Sequence, residues 1–269
     1  MAKNRGSVIE PLEIFYELKP YGYKIKAVDD KKYQVVLPKK IFSQADLSLK
    51  KFVIDNHLYA RTRPLSLVSG RPLYFESSKP YFNNFIERGI KFELRRIGEY
   101  LPGGVKKIIS DLTLTQKNII FKKGKVVNKI FQSKKMASDR AVLALSFGKD
   151  SLLSYGLANE IGLKSFPVTA NIMERYNFFE WNFKKKIVKD FSQKEKVAVD
   201  IFGDNLDDIY YSNKLNKRIE DLHNTNSVFS YALELLFFAN YYKAAYIIFG
   251  NERSMDDSFT NNEGQKTFP

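Results

Sequence analysis

Two short segments carry the residue types that handle phosphate. Ser146-Phe147-Gly148-Lys149-Asp150-Ser151 lies between an apolar run, Arg140–Leu145 (RAVLAL), and an expected helix from about Asp150 to Ile161. A glycine in such a turn lets the backbone approach a phosphate closely, and the N–H groups at the start of the helix supply donors and a positive dipole end. Ser146 and Ser151 add hydroxyls, and Lys149 adds a point charge. Asp150 suits a phosphate site if it holds Mg²⁺ that bridges the phosphates; otherwise it caps the helix. The second segment, Gly250-Asn251-Glu252-Arg253-Ser254, follows the expected strand Ala245–Phe249 (AYIIF). There Glu252 can ligate Mg²⁺ or orient a nucleophile, and Arg253 can pair with a phosphate or a carboxylate. The competing reading of this segment is a solvated polar turn.

These segments must be positioned by the elements around them. From Arg140 onward, near-continuous apolar strands alternate with helices. Strands are expected at Arg140–Leu145, Ser165–Ala170, Lys196–Ile201 and Ala245–Phe249, with helices at Phe178–Glu195, Asp204–Leu222 and Asn226–Lys243. That rhythm predicts an α/β fold with a doubly wound parallel sheet, whose ligands bind beyond the carboxyl ends of the strands. Both phosphate-handling segments fall at that edge. So do Thr169, Ala170 and Asn171 after the second strand, and Asp204, Asp207 and Asp208 after the third. Tyr176, Phe178, Phe179 and Trp181 can wall a pocket there, although an aromatic stretch opening a helix is more often core. Asp256 and Asp257 can add carboxylates to a cation site or simply face water. His57 and His223 carry no supporting pattern and are assigned structural roles.

The Ser146–Ser151 turn resembles the pyrophosphate-binding loop, S-G-G-x-D-S, of the ATP pyrophosphatases in the adenine-nucleotide alpha-hydrolase superfamily. Ser146, Gly148, the free position Lys149, Asp150 and Ser151 agree, while Phe147 stands where that family has its first glycine. The resemblance implies that ATP and Mg²⁺ are the cofactors and that attack at the α-phosphorus yields an adenylated substrate and pyrophosphate. Taken with G-N-E-R-S at Gly250–Ser254, it extends over roughly residues 140–255 to the ATP-dependent epimerases that invert a glutamyl centre in a UDP-muramoyl-dipeptide precursor. On this reading Lys149, Asp150, Glu252 and Arg253 are catalytic, with Asp150 and Glu252 holding the metal. Ser146, Gly148, Asp150, Ser151, Thr169, Asn171, Gly250 and Asn251 bind the nucleotide, adenine lying near Thr169–Asn171. The implied reaction is AMP-forming activation of a carboxylate or related oxygen on a small or nucleotide-linked acidic substrate, as an epimerase or ligase. The alternatives are an ATP-dependent tRNA-modifying enzyme and a non-catalytic adenine-nucleotide-binding module.

Composition limits these choices. The chain has 269 residues, 44% hydrophobic and 14% aromatic, enough apolar surface for a packed core. It has no cysteine, which excludes disulfides, thiolate metal sites and thiol nucleophiles, and with them the cysteine-dependent tRNA thiolation and nitrile-forming members of the superfamily. With two histidines, any metal is expected to be a hard cation on oxygen ligands. Residues 1–135 hold 28 Lys/Arg against 12 Asp/Glu, a net of +16, whereas residues 136–269 hold 16 against 18. The split predicts two domains, a smaller, basic, strand-rich α+β domain (1–135) and the ATP-binding α/β domain (136–269). The basic half suits RNA or another polyanion, the tRNA partner of the alternative reading, unless the charge is only a Lys-rich proteome bias.

Within the first half, strands are expected at Leu12–Leu18, Tyr23–Val28, Tyr33–Leu37, Leu58–Val68, Pro72–Glu76, Asn118–Phe121 and Val126–Phe131, with a helix at Tyr81–Tyr100 and a linker at Gln132–Lys135. The most apolar window, Val228–Ala239 (VFSYALELLFFA), carries Glu234 and is too short to span a bilayer. The expectation is a cytoplasmic protein without a membrane partner, with homo-oligomers possible. Only 20 residues follow the fourth strand, which predicts a chain truncated there or completed by a partner.

Overall fold

The computed structural model describes residues 10–29, 31–97, 103–124, 136–171, 178–215, 219, 222–250 and 258–267. It opens on an antiparallel meander, β1 (Leu12–Lys19), β2 (Gly22–Lys26) and β3 (Tyr33–Val36). Three helices follow, α1 (Lys39–Gln44), α2 (Leu47–Thr62) and α3 (Leu65–Ser69). Strand β4 (Leu73–Phe75) leads to α4 (Asn83–Ile97), α5 (Gly104–Gln116) and β5 (Ile119–Phe121), and β4 and β5 run parallel to β1. The second half alternates: β6 (Ala137–Ala144), α6 (Lys149–Glu160), β7 (Lys164–Asn171), α7 (Phe178–Glu195) and β8 (Asp200–Asp204). Short 3-10 turns at Leu206–Tyr211 and Leu222–Asn224 precede α8 (Ser227–Tyr242), β9 (Ala244–Ile248) and a small hairpin, β10 (Phe259–Thr260) with β11 (Lys266–Thr267).

Nine strands form one mostly parallel sheet in the order β5-β4-β1-β2-β3-β8-β7-β6-β9, so the fold is α/β. The two segments of unequal charge meet at β3 and β8, where Val35 and Val36 pair antiparallel with Asp204 and Gly203. Strand β6 is covered on both faces, as its continuous apolar run requires. Val142 packs in the large core that also holds Leu233, Leu235 and Phe238 of α8. Leu143 and Leu145 pack with Tyr155 and Ala158 of α6, against Phe191 of α7.

Several expected elements come out differently. The first half is not mainly strands: among its described residues there are five helices. Leu58–Val68 is the end of α2 followed by α3, not a strand. Every residue from Val53 to Val68 is buried, so no polar stripe marks the helical period. Asp46 still signals the start of α2, its carboxylate accepting from Leu49 N at 2.8 Å. The third strand of the second half begins at Asp200 rather than Lys196, because its register is set by Val168↔Asp200 on one side and Val35↔Asp204 on the other. The described residues of 204–222 do not form the expected helix. Asp204 ends β8 and accepts from Leu206 N, while Asn205 is tied to β3 through Gln34 N at 2.7 Å. The expected strand Val126–Phe131 and linker Gln132–Lys135 lie outside the described residues.

The polar C-terminal stretch holds the β10–β11 hairpin, which returns to the basic half. Glu263 accepts from Val105 N at 2.5 Å and Lys106 N at 3.2 Å, capping α5, and Asn261 donates to Arg95 O at the end of α4.

Helices α2 to α5 are clamped by a buried arginine. Arg63 donates through Nε to Glu87 Oε1 at 2.6 Å, through Nη1 to Ser66 Oγ at 2.6 Å and through Nη2 to Leu112 O at 2.9 Å. Tyr59 adds its hydroxyl to the same Glu87 oxygen at 2.5 Å. Arg63 is fully buried, so removing its carboxylate strands a charge with no access to water. Glu87→Ala is expected to cost about 3–5 kcal/mol in urea unfolding, whereas Lys107→Ala, which breaks an exposed pair with Asp111, is expected to cost under about 1 kcal/mol.

Candidate functional site

The Ser146–Ser151 turn joins β6 to α6 at the carboxyl edge of the parallel strands. Phe147 sits at φ +66° in the left-handed region, which glycine enters without steric cost and a side chain does not. Its ring swings away from the turn and packs edge-on against Phe191 at 5.6 Å between centroids. Gly148 is the N-cap of α6, and no side chain caps the helix. Asp150 therefore stands in the first turn, not at the cap, and the competing role as an ordinary N-cap is overturned. Ser151 is buried, donating to Gly148 O at 3.0 Å and accepting from Ser146 Oγ at 3.1 Å, while Ser146 Oγ accepts from Gly148 N at 3.3 Å. Lys149 is exposed.

A cavity of about 310 Å³ opens beside this turn. Ser146, Ser151, Thr169, Ala170, Lys184 and Gly250 line it, and the remaining walls are apolar, with Phe202, Val228, Tyr231, Leu235 and Phe249 among them. Thr169 Oγ1 is buried without a hydrogen-bond partner. Lys184 donates to Ala170 O at 3.1 Å. Gly250 ends the strand segment directly over the start of α6: a Cβ there would come within 2.6 Å of the Asp150 carbonyl group and Ser151 N. Thus Ser146, Ser151, Thr169 and Gly250, picked from separate sequence segments, meet in one cavity.

Asn171 does not join them. Its register opposite Gly203 carries it to a second cavity of about 650 Å³, lined also by Gln34, Asn205, Asp204 and Asp208 and sharing the Phe202 wall. Asn251, Glu252, Arg253, Ser254, Asp256, Asp257 and Tyr176 lie outside the described residues, as do the side chains of Phe178 and Phe179. Trp181 is buried.

Sequence reasoning passed over a buried polar group at the second cavity. His57 of α2, Asp204 of β8 and Glu234 of α8 place their ligating atoms within 4.8 Å of one another. Arg61, one turn after His57, pairs with Asp207 Oδ1 at 2.5 Å and Asp204 Oδ2 at 3.6 Å. Burial raises the Asp204 carboxyl to about 6 despite Arg61, and drives Glu234 well above the usual carboxylate range with Asp204 adding to the effect. Burial, assisted by Arg61, holds His57 well below the ordinary imidazole value, so its ring is neutral. The available signals were Asp204, at the expected sheet edge, and Glu234, a lone carboxylate inside VFSYALELLFFA. His57 had none.

Comparison with known proteins finds no matching family model, no matching curated protein and no matching solved structure. Among the described residues, no helix is long and apolar enough to cross a membrane.

The Gly250 contact gives a direct check on how tightly the two segments meet. Gly250→Ala is expected to destabilise the chain by about 1–3 kcal/mol, because backbone rather than a flexible side-chain end must yield. Gly156→Ala in α6, where an added Cβ meets nothing within 4 Å, is expected to be neutral or stabilising by up to about 1 kcal/mol. Thermal unfolding of the two variants makes the comparison.

Proposed function

We propose that the cavity beside Ser146–Ser151 binds ATP with Mg²⁺ and that the chain catalyses AMP-forming activation of a substrate carboxylate. The observation that carries this reading is the turn itself. Its second residue holds a left-handed backbone, at the position where the resembling loop has glycine, and its ring is turned out of the way. An adenine-nucleotide alpha-hydrolase-like arrangement of the parallel strands belongs to the same proposal.

The residues present suit the ligand. No side chain caps α6, so its N-terminal turn presents the positive end of the helix dipole to an anion. Thr169 Oγ1 is an orphaned polar atom in a cavity whose walls are otherwise mostly apolar, a surface that fits a planar base. At about 310 Å³ the cavity matches the lower end of ligand pockets, roughly 300–1,000 Å³, which suits a nucleoside portion with phosphates over the exposed turn. Asp150 supplies the carboxylate for Mg²⁺, and Lys149 offsets phosphate charge. Arg253 and Glu252, which follow β9 in sequence, are assigned to the substrate or the departing pyrophosphate. Adenylation turns a poor leaving group into a good one; for a glutamyl substrate it also acidifies the α-hydrogen, the basis of epimerisation.

Asp150→Asn is expected to weaken Mg–ATP binding about tenfold or more by titration calorimetry, the loss of a charge-assisted ligand worth at least ~1.4 kcal/mol. An unchanged affinity would remove Asp150 from the metal. Arg253→Ala is expected to leave ATP affinity within a few-fold while cutting AMP formation about 10²-fold, with Arg253→Lys restoring little. The deciding assay is pyrophosphate release from ATP by the purified chain, alone and with carboxylic acids or RNA. Release that requires an acid supports the proposal, release that requires RNA favours the tRNA-modifying alternative, and ATP binding without release leaves a nucleotide-binding module.

A further inference from the structure

The charges around Arg61 do not balance. Asp204, Asp207 and Glu234 bring three carboxylates to one guanidinium, and the imidazole beside them is neutral. Asp204, Glu234, His57 and Arg61 are all 3% exposed or less. Fully ionised, the group carries an excess of two negative charges, with Asp204 and Glu234 shut off from water and Asp207 only one-fifth exposed, which is costly without a counter-charge. Its hydrogen bonding is also incomplete. His57 Nε2 and both oxygens of Glu234 are buried with no partner, and each such atom is costly to leave unpaired. A proton on one carboxylate would reduce the charge but satisfies few of these atoms.

We propose that His57, Asp204 and Glu234 form a binding site for a divalent first-row transition-metal ion. A dication cancels the two excess charges and uses His57 Nε2, Asp204 Oδ2 and a Glu234 oxygen together. One imidazole with two carboxylates is a donor set for Zn²⁺, Mn²⁺, Fe²⁺ or Co²⁺ rather than for Mg²⁺ or Ca²⁺ alone. One donor atom from each residue already lies within 4.8 Å of the other two; tetrahedral bonds of about 2.0–2.2 Å set donors about 3.3–3.6 Å apart, so the three side chains close inward to complete the site. The surroundings orient the ligands. The Tyr23 hydroxyl hydrogen-bonds His57 Nδ1, leaving Nε2 for the metal, and Leu206 N occupies Asp204 Oδ1, leaving Oδ2. Arg61 keeps its shorter pair with Asp207. Asp204 also lines the 650 Å³ cavity, which gives the ion a route in and leaves room for water or substrate at a further coordination position.

This site shares no residue with the proposed Mg–ATP site, and its test needs no nucleotide. The full chain, stripped with a chelator, is titrated with Co²⁺ alone by visible absorption and with Zn²⁺ alone by calorimetry. One equivalent is expected to bind. Glu234→Gln and Asp204→Asn are each expected to weaken binding at least tenfold, while His223→Asn binds as the unaltered chain does. Glu234→Gln keeps the shape of the side chain. Its metal-free form should therefore melt near the metal-free parent, yet lose the rise in Tm that Zn²⁺ gives the parent. No stoichiometric binding by the parent, or binding that survives both Glu234→Gln and Asp204→Asn, overturns the proposal.

Discussion

The antiparallel pairing of β3 with β8 is the constraint on which the arrangement depends. Two pairs of residues, Val35 with Asp204 and Val36 with Gly203, join an N-terminal set of strands to a parallel C-terminal set. Without that seam each set would present an unpaired edge, which is costly when buried and adhesive when exposed. The pairing decides where β8 starts and ends. It brings Asp204 toward α2, and it sets the 650 Å³ cavity beside the end of β8.

Two arginines two residues apart on the same stretch show how differently buried charge can be handled. Arg63 meets a carboxylate, a hydroxyl and a carbonyl, and its neighbour Tyr59 donates to the same oxygen of that carboxylate. That network is a structural clamp. Arg61 instead faces more negative charge than it can neutralise, next to a histidine nitrogen and a carboxylate with no partners.

The turn after β6 follows a similar logic in the backbone. A left-handed residue that is not glycine carries strain, and Phe147 offsets it by packing on Phe191 beside Tyr155. The same rotation keeps the ring off the start of α6. Gly250, just past β9, then closes against the backbone of Asp150 and Ser151, so the turn is shaped from the ends of both β6 and β9.

The amino-acid order by itself determined the elements whose surroundings are simple. RAVLAL is a strand because both of its faces are covered, and Phe178–Glu195 is a helix over the expected span. The gathering of Ser146, Ser151, Thr169 and Gly250 was also legible, since parallel strands deliver their carboxyl ends to one edge. Tertiary structure alone decided the rest. From Val53 onward helix α2 is enclosed on every side, which erases the periodicity that betrays a helix at a surface. The bounds of β8 come from two neighbours, one of them about 168 residues away in the chain. His57, Asp204 and Glu234 lie on three elements far apart in sequence, and no spacing rule connects them. Their chemistry comes from sharing one dry volume, and burial is a property of the folded chain.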